Sequence, residues 1–190
     1  RNDDFWGKKP AYKYLEVRAI PEPTNRTIEL ETKGVDIAYP IIGNDINRIR
    51  DNEQLTLYKE PQSSITYLGF NVTKPPFTDV RVRKALAMSV NKEAFLQLIY
   101  NGHGSLATSI LGSKVTGYKA NDPVPFDVEA AKALLAEAGY PDGFTIKQYY
   151  SKNTTNEKSA EFMRQQFAQI GVTLEPIGEE SAMTNDRIQN

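Results

Sequence analysis

The chain has 190 residues, enough to bury one good hydrophobic core, and no cysteine, which excludes both a disulfide framework and a thiolate metal site. Its 23 basic and 24 acidic residues leave a net charge of −1, without the basic surplus that non-specific nucleic-acid binding needs. No apolar run approaches the ~20 residues of a membrane-spanning helix.

Residues 1–10 are polar around Trp6-Gly7, and Trp6 reads as an apolar plug in preference to a ligand-stacking platform. Residues 14–20 alternate as a strand does, and Pro21-Glu22-Pro23 ends them. Thr24 or Asn25 is placed to cap a short helix running to Lys33, with Ile28 and Leu30 inward and Gly34 just past its end. Residues 35–38 form a short apolar strand, so the pattern predicts a βαβ unit with a parallel pair. Residues 45–51 predict a short helix and residues 55–58 a strand.

Residues 65–72 (ITYLGFNV) are β-branched and aromatic, as a buried strand requires. Pro75-Pro76 stops any ladder there. Thr78 is placed to cap the next helix, with Asp79 in its first turn and Val82, Leu86 and Ser89 on one face. Asn91 caps a further helix that buries Phe95, Leu98 and Ile99. Residues 101–105 (NGHGS) are a turn by composition. They hold the sole histidine, His103, which is expected to face solvent because no cysteine or second histidine exists to share a metal with it.

Residues 111–125 show no period and read as a surface excursion. Asp127 caps a helix with Ala131, Leu134, Leu135 and Ala138 inward, and Gly139 closes it. Residues 144–150 predict a strand and residues 151–156 (SKNTTN) a polar loop ending at a cap. The helix from Glu157 places Ala160, Met163, Phe167 and Ile170 on one face and ends at Gly171. Residues 172–175 are the last strand, and residues 179–190 begin a helix. The alternation of strands and helices predicts an α/β lobe with a mixed, largely parallel sheet and flanking helices.

The chain holds no G-x-S-x-G, no G-x-G-x-x-G and no P-loop, and a histidine-dependent triad has only His103 to draw on. No metal site and no cofactor are expected. Glu179-Glu180 and Asp3-Asp4 are acidic pairs that ordinarily face solvent, and a sugar-cleaving role for such a pair requires facing geometry. Arg81, Arg83 and Lys84 read as a solvated helix face in preference to an anion site. Ligands of open α/β sheets sit outside the carboxyl ends of the strands. Here those ends are residues 20–25 and 150–156, both rich in Thr, Asn and Ser.

The run KPPFTDVRVRKALAMSVNKEA (residues 74–94) resembles the signature of the extracytoplasmic solute-binding proteins of peptide ABC importers, bacterial family 5. This family includes oligopeptide-, dipeptide- and nickel-binding members. Asp4-Phe5-Trp6-Gly7, Gly34-Val35-Asp36-Ile37-Ala38, residues 127–140 and Gln169-Ile170-Gly171-Val172 resemble further family motifs in the same order and spacing. Leu106 departs from the pattern, standing where proline is common.

The resemblance implies one lobe, residues 1–190, of a larger two-lobed, periplasmic-binding-protein-like type II fold, this chain being an excised piece of it. It implies a monomeric binding subunit, without catalytic residues or nucleic-acid partner, that takes oligopeptides or dipeptides into a cleft between lobes. The partners are then a peptide, a membrane permease and the remainder of the parent chain. The setting is extracytoplasmic, periplasmic or lipid-anchored. The resemblance places lining positions near Asn25, Ser151, Asn156, Ser181 and Asn185, and an aspartate that grips the peptide amino terminus beyond Asn190. Two alternatives stay open: a nickel-chelate or oligosaccharide binder of the same family, the sugar with Tyr149 and Tyr150 as platforms, and a hydrolase using Glu179 and Glu180.

Overall fold

The computed structural model describes residues 2–60 and 62–189. They form two compact units that divide between Leu57 and Tyr58.

The first unit is built on two helices, α1 (Pro23–Glu31) and α2 (Gly43–Arg50). Pro23 opens α1, where a missing N–H costs nothing because that group has no intrahelical partner. Thr27 is fully buried, and its hydroxyl donates to Asp45 Oδ2 across the helix pair at 3.1 Å. Ile49 of α2 is also buried, and Arg48 is ion-paired to Glu31 and Asp45. Arg26 donates to the carbonyls of Ile20, Pro21 and Pro40, tying together the chain before and after α1.

The sequence pattern misleads in this unit. Residues 14–20 and 35–38 form no ladder, and Tyr14, Leu15, Val17 and Ile37 are exposed. A strand whose apolar side chains cover nothing has no burial to offset its ordering. Ile28, expected inward, is exposed, and the buried position of α1 is Thr27. Lys33, not Gly34, takes the left-handed conformation after α1.

The second unit holds the main core. Its elements are α3 (Val80–Met88), α4 (Lys92–Tyr100), α5 (Val128–Glu137), β1 (Thr145–Ser151), α6 (Thr154–Ala168), β2 (Thr173–Glu179) and α7 (Ser181–Gln189). The strands pair in parallel from Thr145↔Thr173 to Ser151↔Glu179, with α6 as their crossover. Thus the α/β class and the parallel sheet expected from the sequence are both present. Helix α6 packs chiefly on β2, α3 packs on α5, and α4 packs on α6 through an edge-on Phe95–Phe162 contact of 5.3 Å. Val82, Leu86, Ala131, Leu135, Phe167 and Val172 are almost wholly buried in one cluster with Ile146 and Leu174.

Side chains close the ends of these helices. Asp79, not Thr78, caps α3 by accepting from Arg81 N at 2.7 Å. Asn91 caps α4 and Asp127 caps α5, as the sequence suggests. Arg81 also pairs with Asp79, holding that carboxyl below its usual range chiefly by their side-chain hydrogen bonds, and donates to the Glu137 carbonyl at the end of α5. Arg83 donates to the carbonyls of Phe77 and Thr78. Both arginines therefore fasten the fold.

Three further expectations are corrected. Residues 55–58 and 65–72 form no ladder, although Leu68 and Phe70 do pack on the core. Leu98 is exposed on α4. His103 is half-buried, with Nδ1 3.1 Å from Lys59 Nζ.

Candidate functional site

The carboxyl ends of β1 and β2 lie side by side because the strands are parallel and in register, the last pair being Ser151↔Glu179. Lys152 N donates to the Glu179 carbonyl at 2.8 Å and carries the ladder one step further. The chain turns into α6 at Asn153, whose side chain caps the helix by accepting from Asn156 N at 2.9 Å. The helix therefore starts three residues before Glu157, and the asparagine that caps it is 153. Asn153 lies in the extended region and can aim its Oδ1 at an unpaired helix N–H.

Asn156 is half-buried in the first turn, and its Nδ2 donates to the Ser151 carbonyl at 2.7 Å. Ser151 and Asn156 are thus brought together by a bond that holds the strand end against the helix start. Ser181 opens α7 two residues after Glu179, and Asn185 follows one turn later on the same helical face; both are exposed. Asn25 belongs to the first unit, exposed on α1. Four of the five expected positions are thus carried by the elements at the carboxyl end of one parallel strand pair.

Residue-by-residue reading missed the charged groups at this end. Arg187, on the last turn of α7, donates through Nε to both carboxylate oxygens of Glu179, at 2.8 and 2.9 Å. Its guanidinium lies 4.1 Å from the centre of the Tyr149 ring. The Glu179 side chain is only 7% exposed, which contradicts the solvent-facing reading of that acidic pair. The ion pair raises the Arg187 pKa, chiefly through its hydrogen bonds to Glu179. Tyr150, on the opposite face of β1, lies against Gly178, where even a Cβ would come within 3.2 Å of the ring. The readable signal was period-2 alternation carried past residue 175, which turns Glu179 to the side of Tyr149 and Ser151.

Two shallow hollows lie elsewhere. One of about 480 Å³ opens between α4 and α6, lined by Leu98, Ile99, Phe162 and charged residues of α6. The other, of about 210 Å³, lies in the first unit beside Leu30, Val35 and Leu55. Neither includes an expected site residue. Among the described residues no cluster of His, Asp or Glu is arranged to hold a metal ion, and no helix is long and apolar enough to cross a membrane.

The profile of the bacterial extracellular solute-binding proteins, family 5, middle region, matches residues 1–190. The chain belongs to this family. It is 34% identical to a dipeptide-binding protein of Escherichia coli over 179 residues, 90% of this chain and 33% of that protein. It is 33% identical to a glutathione-binding protein of Salmonella typhimurium over 156 residues, 82% of this chain and 30% of that protein. Its structure resembles that of the periplasmic binding protein DppA from Helicobacter pylori in complex with the peptide STSA. The TM-score is 0.88 at 27% identity, covering 98% of this chain and 36% of that one. The chain spans about a third of the length of these relatives. The family is made of solute-binding proteins, and the neighbouring structures have the type II periplasmic-binding-protein fold.

Proposed function

We propose that this chain forms part of the extracytoplasmic binding subunit of an ABC importer for short peptides. The observation that carries the reading is the polar carboxyl end of β1 and β2 in a chain that superposes over 98% of its length on a protein with a bound peptide. An extended peptide presents backbone donors and acceptors and two charged ends. A binder answers with hydroxyls and amides at strand ends, where hydrogen-bond partners are free to adapt.

Asn25, Ser151, Asn156, Ser181 and Asn185 are the proposed lining positions. Asn156 uses one amide hydrogen to hold the strand end, and its other polar sites remain for a ligand. The hydroxyl of Ser181 and the amide of Asn185 are exposed on one face of α7. In the parent, both units belong to a two-lobed monomer that closes on its ligand and docks on a membrane permease. It works outside the cytoplasmic membrane, free in the periplasm or lipid-anchored to the outer face. The hydrolase alternative loses support, because Glu179 is buried on Arg187 while Glu180 is exposed, and the two do not flank one bond.

The test is calorimetric titration of the full-length parent with di- to pentapeptides, nickel chelates and oligosaccharides, alongside solution scattering with and without ligand. Peptide binding with compaction is expected. Binding of a chelate or sugar alone, or an unchanged radius of gyration with bound peptide, refutes the reading.

A further inference from the structure

The proposed lining positions are neutral, yet a peptide brings charge, and the described residues place a fixed cation, Arg187, at this end of the sheet. Arg187 reaches from the last turn of α7 to Glu179, the final residue of β2. Nε alone bonds both carboxylate oxygens. The four N–H groups on Nη1 and Nη2 have no partner among the described residues, and the side chain is 47% exposed. The plane is fixed twice, by the buried carboxylate at its Nε side and by the Tyr149 ring beneath it.

We infer that Arg187 is a specificity residue that receives a carboxylate of the ligand on its outward Nη fork, with Glu179 and Tyr149 as its positioning residues. The inference rests on the peptide-binding reading. Fastening α7 to the sheet needs only the Nε contact. What is left over is a planar, always-charged fork of the width that matches two carboxylate oxygens. A free arginine side chain gives up much rotamer freedom on binding, whereas this one is already ordered. Glu179 balances its charge and Asp186 lies within electrostatic reach, so the preference comes from the geometry of the fork and not from a positive field. Lys152, beside Ser151, is a further cation at this strand end and is exposed. The carboxylate has two possible sources, the peptide's carboxyl terminus or an acidic side chain.

The experiment uses the full-length parent and its Arg187→Gln and Arg187→Lys variants. Calorimetry compares a peptide as free acid and as carboxyl-terminal amide, and a second pair differing by Glu against Gln within the peptide. The wild type is expected to prefer one acidic form over its amide by about tenfold or more, the effect of a charge-assisted hydrogen-bonded pair. The responsive pair identifies the source. Arg187→Gln is expected to weaken the acidic form more than its amide and so abolish the preference, and Arg187→Lys, which keeps a cation beside Glu179, to keep part of it. Equal weakening of acid and amide forms by Arg187→Gln overturns the inference, because a mere clamp does that. Peptide binding by the wild type without any acid preference overturns it too and leaves the peptide reading standing. Binding of no peptide at all refutes that reading and the inference with it. Should Arg187→Gln fail to fold, the wild-type preference and its reduction in Arg187→Lys decide the matter.

Discussion

Gly143→Ala is expected to be among the most damaging single-methyl changes in the second unit. Gly143 and Gly171 meet just before β1 and β2 begin, and both take left-handed conformations, with φ of 75° and 79°. A Cβ on Gly143 would fall 1.9 Å from the Gly171 carbonyl oxygen and 2.4 Å from its carbon, both backbone atoms that no rotamer change can remove. A Cβ on Gly171 would meet nothing nearer than 3.6 Å. The two positions share their conformational cost, about 1–2 kcal/mol for alanine at positive φ. They differ in the clash, which adds about 1–3 kcal/mol or more when a packed backbone must shift. Gly143→Ala should therefore lose roughly 2–5 kcal/mol against roughly 1–2 for Gly171→Ala. Two readouts apply to the full-length parent: the urea midpoint by circular dichroism, and exchange of the Thr173 amide, which donates to the Phe144 carbonyl at 2.9 Å beside the contact. Equal loss in the two variants, with unchanged Thr173 protection, would refute the backbone clash as the source of the difference.

Phe167→Ala removes the largest fully buried side chain of the core and is expected to cost about 3–5 kcal/mol, read as a lowered urea midpoint at unchanged slope. Thr27→Val keeps the volume but strips the buried Asp45 carboxylate of its hydroxyl donor, an expected loss of about 1–3 kcal/mol, visible as faster amide exchange across α1 and α2. Glu161 has its pKa lowered from 4.5 to about 2, first by hydrogen bonds from Arg164 and then from Gln165. A folded value below the unfolded one means a contribution present above pH 4.5 and lost as pH falls toward 2. Glu161→Gln should flatten stability against pH in that window only, and by a small amount, because both partners are about half exposed.

The legible parts of the fold were those whose cause lies within a few residues. Asn91 and Asp127 cap helices because each is a short polar acceptor three residues before a free backbone N–H, and both were readable. The face of α5 was readable for the same reason, since Ala131 and Leu135 recur at helical spacing and are buried. Strands were legible only where the chain supplies a partner. Residues 144–150 and 172–175 found each other across α6 and became β1 and β2. Residues 14–20, 35–38 and 65–72 carry equally good strand chemistry but no ladder, because strand propensity describes a fit to neighbours and not a backbone preference.

The candidate site divides along the same line. Ser151, Asn156, Ser181 and Asn185 were nameable because the family resemblance implies lining positions there, while chain order by itself marked only the polar strand end at residues 150–156. The triad of Tyr149, Glu179 and Arg187 was not, because it depends on where β2 stops. Ending that strand at residue 175 makes Glu179 and Glu180 a solvent-facing pair at a helix start. Carrying it through Glu179, as observed, sets that residue opposite Ser151 and buries its carboxylate, which then requires a cation. Arg187 lies eight residues on, in α7, which follows β2 and packs against β1. A four-residue error in one strand end therefore hid both the buried charge and the arginine that answers it. If Arg187 does receive a ligand carboxylate, the length of β2 is itself a determinant of specificity, because the strand's last residue fixes the plane of the fork.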